Sequence, residues 1–232
     1  MEIRRWKSKG SRMIINIRGT HGSGKSTLVR RVRDLYDGQR PMMIPKRQRP
    51  LGYACTSSMV GPNPRLPPLF VVGSYETPTG GCDTIGSIEQ IFELVTTMAE
   101  HSHVLFEGIV AQHSAGRLLD VALARPGEVT VIALSTPSEI CVSSVEHRRL
   151  ERGELTPLDP KNVLKEYKSV LSSSLRLQRD GLPVLQMSRD EAFAHVVNLL
   201  RSGQAVGKDA QVAGIKADAP VGNSVGNLAE ET

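Results

Sequence analysis

The sequence predicts one α/β domain in which helices flank a parallel sheet. Short apolar segments rich in Val, Ile and Leu alternate along the chain with segments of helical periodicity, as expected where each strand is followed by a crossover helix. Glycines, prolines and helix-capping patterns separate these segments. The length of 232 residues suits a single domain. The carboxyl ends of parallel strands are then the place to look for a functional site.

The first half of the chain contains two predicted strands and one helix between them. Residues 13–18 (MIINIR) are predicted to be a buried strand because three of them are β-branched isoleucines. A helix is predicted from Lys25 to about residue 37, where Asp-Gly ends the periodic pattern. Residues 39–68 are rich in proline and are predicted to be loop with at most one short strand. Residues 69–72 form the second apolar strand.

The second half repeats the alternation, and its helices carry start signals. Capping-box spacings at Ser87, Thr136 and Ser188 predict the starts of three helices, and Asp159 followed by proline starts a fourth. The predicted strands are residues 103–106, 129–134 and 183–187, and the four helices extend to about residues 100, 150, 179 and 201.

The predicted domain occupies residues 13–202. Residues 1–12 are predicted to be a basic N-terminal extension, and residues 203–232 a disordered tail, because the tail has no aromatic residue and no sustained period. Three widely spaced cysteines without a C-x-x-C pattern argue against a disulfide scaffold or a zinc ribbon. With neither a signal sequence nor an apolar run of about 18 residues, the expected location is the cytoplasm, without membrane contact.

The positive charge is concentrated at the beginning of the chain. The net charge is +5, but residues 1–50 hold fourteen Lys/Arg against three Asp/Glu. Such a basic segment suits a polyanionic partner, either nucleotide phosphates or a nucleic-acid backbone. A merely solvated surface is the alternative.

A glycine-rich phosphate-binding pattern lies between the first predicted strand and the first predicted helix. Residues 19–26 match G-x-x-x-x-G-K-[ST], whose backbone N–H groups surround the β- and γ-phosphates of a nucleotide. In this pattern Lys25 bridges the phosphates, Ser26 ligates Mg²⁺, and Thr27 approaches the α-phosphate. No N-K-x-D pattern for reading guanine is present. The predicted nucleotide-binding residues are Gly19, Thr20, His21, Gly22, Ser23, Gly24, Lys25, Ser26 and Thr27.

Two carboxylates at strand ends are candidates for the chemistry. Glu107 follows the strand at 103–106 and is expected to hold magnesium or to take a proton from an acceptor hydroxyl. Asp83 lies in the glycine-rich loop after residue 72 and is the second candidate base. The structural alternatives are a solvated strand-end carboxylate for Glu107 and a helix N-cap for Asp83.

Three arginines near a helix end are candidates for a lid. Arg148, Arg149 and Arg152 precede a glycine-containing loop, and they could neutralise charge on a transferring phosphoryl group. Cations at a helix C-terminus also complement the helix dipole, which is the structural alternative. The basic residues 46–49, with Tyr53, could contact a DNA backbone and stack a base.

These features together resemble the thymidylate-kinase-like group of P-loop kinases. The resemblance implies a P-loop NTPase fold of the nucleoside monophosphate kinase type, with ATP and Mg²⁺ as cofactors. Two departures argue against free thymidylate as the acceptor. His21 stands where those kinases carry an acidic residue, and residues 107–109 (EGI) stand where they carry Asp-Arg-aromatic.

Three short strings resemble more closely the bacteriophage 5-hydroxymethyluridine DNA kinases. These strings are residues 71–75 (VVGSY), 80–84 (GGCDT) and 104–108 (VLFEG). The resemblance implies phosphorylation of the hydroxymethyl group of 5-hydroxymethyluracil bases within viral DNA, a step in thymidine hypermodification that protects phage DNA from host restriction. DNA containing modified thymine bases is then the expected partner.

Two other functions remain open at this point. One is a nucleoside or nucleotide kinase acting on a free small molecule, and the other is an ATPase or switch without an acceptor. In the leading hypothesis Lys25 acts on the donor, Ser26 and Glu107 hold the metal, Glu107 or Asp83 takes the acceptor proton, and the three arginines stabilise the developing charge.

Overall fold

A seven-stranded sheet is the centre of the fold in the residues described by the structure, a computed structural model. Those residues are 12–58, 66–77, 80–108 and 114–202. The strands are β1 (Ile14–Arg18), β2 (Gly38–Met42), β3 (Gly52–Thr56), β4 (Leu69–Val72), β5 (His103–Glu107), β6 (Val129–Leu134) and β7 (Val184–Met187). The helices are α1 (Lys25–Arg33), α2 (Ile88–Ala99), α3 (Ala115–Ala124), α4 (Ser138–Glu151), α5 (Pro160–Arg179) and α6 (Arg189–Ser202).

The sheet is mixed, so the prediction of a wholly parallel sheet is wrong in one place. The strand order is β2-β3-β4-β5-β1-β6-β7, and β3 runs antiparallel to both of its neighbours. The proline-rich residues 39–68, predicted as loop with at most one strand, contain most of β2 and all of β3. A connection of only nine residues joins β2 to β3, and a short connection between neighbouring strands makes them antiparallel.

The four central strands are buried on both faces. Along β1, Ile14 packs into one apolar cluster, and Ile15 and Ile17 pack into another on the opposite side of the sheet. The same alternation holds along β4, β5 and β6. The first cluster lies under α2, α3 and α5, and the second under α1 and α6. Continuous apolar strands are typical of a sheet covered by helices on both sides.

Every predicted strand and helix is present, and the structure adds β2, β3 and one helix. Helix α3 was not predicted, although Ala115, Leu118 and Val121 are its buried residues at helical spacing. Its ten residues give a short periodic signal, and a glycine at its second position weakens that signal further.

The predicted terminal segments lie outside the described residues, apart from Arg12. The Arg12 guanidinium donates to the backbone carbonyl of Glu100. The boundaries of the N-terminal extension and of the disordered tail therefore stay predictions. Among the described helices, none combines the length and the apolar character needed to cross a membrane.

Two of the three predicted caps are formed, and the one at Ser188 is a full capping box. The Ser87 side chain accepts from the Gln90 N–H at the start of α2. At the start of α6 the cap is reciprocal, since the Glu191 N–H donates to Ser188 Oγ at 3.4 Å and the Ser188 N–H donates to Glu191 Oε2 at 2.8 Å. The box predicted at Thr136 is absent from the described contacts, because Thr136 Oγ1 donates to the Ser23 carbonyl at 2.9 Å instead.

Replacing Ser188 by alanine is expected to lower the free energy of unfolding by about 1 kcal/mol, because α6 loses its N-cap. Ser138→Ala is the matched control. Ser138 begins α4, but its hydroxyl donates only to the neighbouring Glu139 carboxylate, so a change below about 0.5 kcal/mol is expected. Urea unfolding measures both values, and equal losses would contradict the assignment of the cap.

A buried histidine makes the stability of the fold depend on pH. His103 begins β5, is 5% exposed and accepts a hydrogen bond from the Met13 N–H at Nδ1, at 3.0 Å. Burial, with a smaller effect from the Arg12 cation, lowers the pKa of His103 to about 4. The folded chain therefore holds His103 neutral at pH values where an exposed histidine is protonated.

Acidification from pH 7 to pH 4 is expected to destabilise the protein relative to His103→Asn by up to about 3 kcal/mol. The sign follows from the lowered pKa: below pH 6.5 the unfolded chain binds a proton that the folded chain refuses. Asparagine can still accept from the Met13 N–H but does not titrate. Urea unfolding at several pH values measures the difference, and parallel pH profiles for the two proteins would contradict this prediction.

Candidate active site

The loop between β1 and α1, residues 19–26, is called the glycine loop below. Gly22 and Gly24 have φ values of 82° and 91°, a left-handed conformation that glycine adopts without strain. A side chain at Gly22 would place its Cβ 2.2 Å from the Cys141 carbonyl oxygen. No described side chain caps α1, which begins at Lys25, so the first-turn N–H groups form an anion-binding end.

Contacts from two other elements hold the glycine loop in place. The Thr136 hydroxyl, between β6 and α4, donates to the Ser23 carbonyl at 2.9 Å. From α5, Glu166 accepts from the His21 N–H at 3.1 Å and pairs with the His21 imidazole. Burial acts to raise the pKa of Glu166, but the hydrogen bonds from His21 outweigh it and lower that pKa. The loop conformation therefore depends on residues more than 100 positions away.

Lys25 and Ser26 stand at the first turn of α1, facing the end of β5. Lys25 Nζ donates to the carbonyls of Gly19 at 2.8 Å and Thr20 at 3.0 Å. Ser26 Oγ donates to Glu107 Oε1 at 2.7 Å. The two predicted metal-binding residues are therefore in direct contact.

Glu107 is buried at the carboxyl end of β5, with 2% of its surface exposed. Burial raises its pKa, while the Lys25 charge and the Ser26 hydrogen bond act to lower it. The structural alternative of a solvated carboxylate is therefore wrong. A carboxylate held here supplies a hard oxygen atom beside the serine hydroxyl.

Asp83 lies in a one-turn 3₁₀-helix, Cys82–Thr84. This helix stands beside the end of β5, since a Cβ added at Gly108 would lie 3.0 Å from Asp83 Oδ1. Asp83 is exposed to solvent, unlike Glu107. The Thr84 hydroxyl accepts from the Ser74 N–H at 3.1 Å and donates to the Gly81 carbonyl at 2.8 Å, which fixes this loop. The N-cap alternative for Asp83 is wrong, because Ser87 caps α2.

These groups line one cleft of about 610 Å³ at the carboxyl ends of the strands. Gly22, Gly24, Lys25, Ser26, Thr27, Asp83 and Glu107 are among its lining residues. Five Lys/Arg side chains face three carboxylates, a balance that favours an anionic ligand. The cations are Lys25, Arg30, Arg49, Arg148 and Arg189, and the carboxylates are Asp83, Glu107 and Glu151.

Comparison with known proteins identifies relatives that share most of this chain. The chain is 42% identical over 192 residues to the 5-hmdU DNA kinase of Pseudomonas phage PaMx11, across 82% of this chain and 97% of that protein. The chain belongs to the 5-hmdU DNA kinase family. It is therefore a kinase, an enzyme that transfers a phosphoryl group.

More distant relatives carry the same name. The 5-hmdU DNA kinase of Delftia phage PhiW-14 is 28% identical over 207 residues, which is 82% of this chain and 73% of that protein. The protein of that name from Pseudomonas phage M6 is 24% identical over 192 residues, 78% of this chain and 94% of its own length. No family model matches this kinase.

The structure brings only one of the three predicted lid arginines to the cleft of this kinase. Arg148 lines the cleft, and burial, followed by the nearby Arg152 charge, lowers its pKa. Arg149 and Arg152 instead form ion pairs with Glu154, at 3.2 Å and 2.8 Å. The chain folds back after Gly153, and the Glu154 N–H donates to the Arg149 carbonyl.

Sequence reasoning missed three arginines that line the cleft. Arg189 begins α6, separated from the end of β7 by one residue, and its side chain passes Gly24. Its position just after a strand was a usable signal. Arg30 donates to the carbonyls of Tyr75 and Thr77, which ties α1 to the loop after β4. Nothing in the local sequence distinguishes Arg30 from the other arginines of α1. Arg49, in the loop between β2 and β3, was noted only for possible contact with DNA.

Tyr53, considered for base stacking, is not available for that role. It is 6% exposed, and the Arg33 guanidinium lies 4.6 Å from its ring centroid. Its hydroxyl accepts from the Tyr75 N–H at 3.4 Å. Tyr53 therefore belongs to the core beneath α1.

Proposed function

We propose that this kinase transfers the γ-phosphoryl group of ATP to the hydroxymethyl group of 5-hydroxymethyluracil bases in phage DNA. The Ser26–Glu107 contact at the mouth of the glycine loop carries the donor half of this proposal. The acceptor half rests on the relatives, since each of the three is named a 5-hmdU DNA kinase. The architecture supports a P-loop NTPase fold of the nucleoside monophosphate kinase type.

The residues of the glycine loop fit the phosphates of ATP. The uncapped first turn of α1 offers N–H groups, and the Lys25 ammonium lies beside them. Gly22, Gly24, Lys25, Ser26 and Thr27 all line the cleft where the phosphates would lie. Gly19, Thr20, His21 and Ser23 complete the proposed donor site.

The oxygen atoms of Ser26 and Glu107 fit Mg²⁺, which prefers hard oxygen ligands. Ser26 would ligate the ion, and Glu107 would hold it directly or through water. When bound, Mg²⁺ neutralises charge on the donor phosphates. Arg148 lines the same cleft and is the arginine best placed to stabilise charge on the transferring group; Arg149 and Arg152 contribute only if they leave Glu154.

The two carboxylates divide the chemistry between them. Glu107 is buried and engaged with Ser26, so it serves the metal. Asp83 lines the same cleft but is exposed to solvent, where an acceptor hydroxyl can approach, so it positions that hydroxyl and takes its proton. The hydroxyl oxygen attacks the γ-phosphorus, the bond to the β–γ bridging oxygen breaks, and ADP leaves.

The product of this reaction is a phosphate ester on the base. Phosphate leaves from a methylene carbon far more readily than hydroxide does, so the ester prepares that carbon for later replacement. This chemistry is consistent with a step in thymidine hypermodification that protects phage DNA from host restriction.

Purified protein incubated with γ-labelled ATP and Mg²⁺ is expected to label an oligonucleotide that contains 5-hydroxymethyluracil. The matched thymine oligonucleotide should stay unlabelled, because it has no acceptor hydroxyl. Lys25→Ala is the blank, with an expected loss of at least about 10²-fold in rate. Label on free 5-hydroxymethyl nucleotide alone would contradict the proposal and leave a small-molecule kinase; ATP hydrolysis without any labelled acceptor would leave an ATPase.

Substitution of the two carboxylates is expected to separate their roles. Glu107→Gln should raise the Mg²⁺ concentration for half-maximal rate about 10-fold to 100-fold. Asp83→Asn should lower kcat about 10²-fold and leave the Mg²⁺ requirement unchanged. Magnesium titrations of the transfer rate measure both effects, and the opposite pattern would reverse the two assignments.

A further inference from the structure

The loop between β2 and β3, residues 43–51, forms an exposed surface that the proposed chemistry does not use. It connects the edge strand of the sheet to its neighbour. Met43 is 49% exposed and Ile44 is 40% exposed. These two adjacent apolar side chains lie at the tip of a loop, so their exposed surface contributes no burial to the core of the fold.

Basic residues flank this apolar tip along the chain. Residues 38–56 contain Arg40, Lys46, Arg47 and Arg49 and no acidic residue. None of the four forms an ion pair with a described carboxylate. Arg40, Lys46 and Arg49 are also exposed. The surface therefore presents uncompensated positive charge, which suits a polyanion.

The backbone of the loop directs Lys46 outward. The Arg47 N–H donates to the Ile44 carbonyl at 3.2 Å, which closes a turn with Pro45 and Lys46 at its centre. Lys46 has a φ of 67° and is the one residue other than glycine with positive φ among those described. Glycine is the usual residue at such a position, so a lysine there calls for a functional explanation.

Two arginines connect this loop to the cleft. The Arg47 guanidinium donates to the Thr84 carbonyl, next to Asp83, and to the Arg49 carbonyl at 2.8 Å. Arg49 itself lines the cleft together with Asp83 and Thr84. The charged surface is thus continuous with the acceptor side of the site.

We infer that the β2–β3 loop is the surface that holds the DNA strand beside the target base. Arg40 and Lys46 contact phosphates, and Met43 and Ile44 pack against the base stack where the target base has left it. This inference rests on the proposed function, because it assumes that the acceptor is a base in DNA. Charge complementarity and the direct contact with the Asp83 loop support DNA as the occupant.

Base stacking in a duplex explains why a pair of apolar side chains is needed. A base inside a duplex cannot reach a cleft, so it must be turned out of the stack. Apolar side chains inserted at a base step stabilise unstacked DNA, and cations on either side hold the backbone. We call Met43 and Ile44 the wedge. Binding of a single strand requires the cations but not the wedge, so substitutions of the two kinds of residue should have different effects on duplex and single-stranded DNA.

The double variant Arg40→Ala/Lys46→Ala tests the cations. Its Kd for duplex DNA, from fluorescence anisotropy, should rise at least about tenfold, and the slope of log Kd against log salt should fall by about two. ATP affinity should be unchanged, which excludes a folding defect. Lys168→Ala/Arg179→Ala, on exposed positions of α5 outside the cleft lining, is the charge-matched control.

The double variant Met43→Ala/Ile44→Ala tests the wedge. Its kcat/KM for a duplex containing 5-hydroxymethyluracil should fall about tenfold, and that for the matching single strand no more than about twofold. Leu123→Ala, at a residue of α3 that is 79% exposed, is the apolar control. Equal losses of kcat/KM on the two substrates, or no loss on either, would overturn the proposed role of Met43 and Ile44.

An unchanged Kd for duplex DNA in the Arg40→Ala/Lys46→Ala variant would overturn the inference that this loop binds DNA. Binding to vesicles of anionic lipid with no affinity for DNA would also overturn it and indicate a membrane surface. If the wild-type protein labels only free nucleotide, the proposed function fails, and the anisotropy comparison still decides whether this loop binds DNA.

Discussion

Parallel pairing of β1 with β5 places Ile17 opposite Glu107, and the geometry of the site depends on this register. The glycine loop leaves the carboxyl end of β1, so Ser26 meets the carboxylate that ends β5. A shift of one residue in this pairing would turn the strand residues to the opposite face of the sheet. The apolar side chains of β1 and β5 on both faces oppose such a shift, and the core thereby fixes the position of a functional carboxylate.

Burial of Glu107 is tolerated because the surrounding groups compensate for lost hydration. The Lys25 charge, the Ser26 hydrogen bond and the Arg30 charge all act to lower the pKa that burial raises. The same cations make the cleft attractive to phosphates. The electrostatic arrangement that stabilises the fold is therefore also the one that the proposed nucleotide and metal ion require.

The acceptor side of the cleft is built differently from the donor side. The donor side is a turn held by the β6–α4 connection through Thr136 and by α5 through Glu166. The acceptor side consists of loops after β4 and after β2, joined through the Arg47–Thr84 contact. Binding residues often lie on loops supported by a rigid scaffold, and this division suits the proposed transfer from a small nucleotide to a large polymeric acceptor.

Sequence by itself determined the features that depend on short stretches of chain. The alternation of strands and helices, the glycine loop, the caps at Ser87 and Ser188 and the carboxylate at Glu107 all follow from local spacing, because hydrogen bonds and periodicity within a few residues set them. Tertiary structure alone decided which side chains reach the cleft. It placed Arg148 there and paired Arg149 and Arg152 with Glu154, brought in Arg30 and Arg189, removed Tyr53 to the core, and reversed β3. Contacts between residues far apart in the chain place Arg30, Tyr53 and β3, and spacing along the sequence does not specify such contacts. The pairing with Glu154 is local, but it depends on the turn that the chain makes after Gly153, which the spacing of the arginines does not specify.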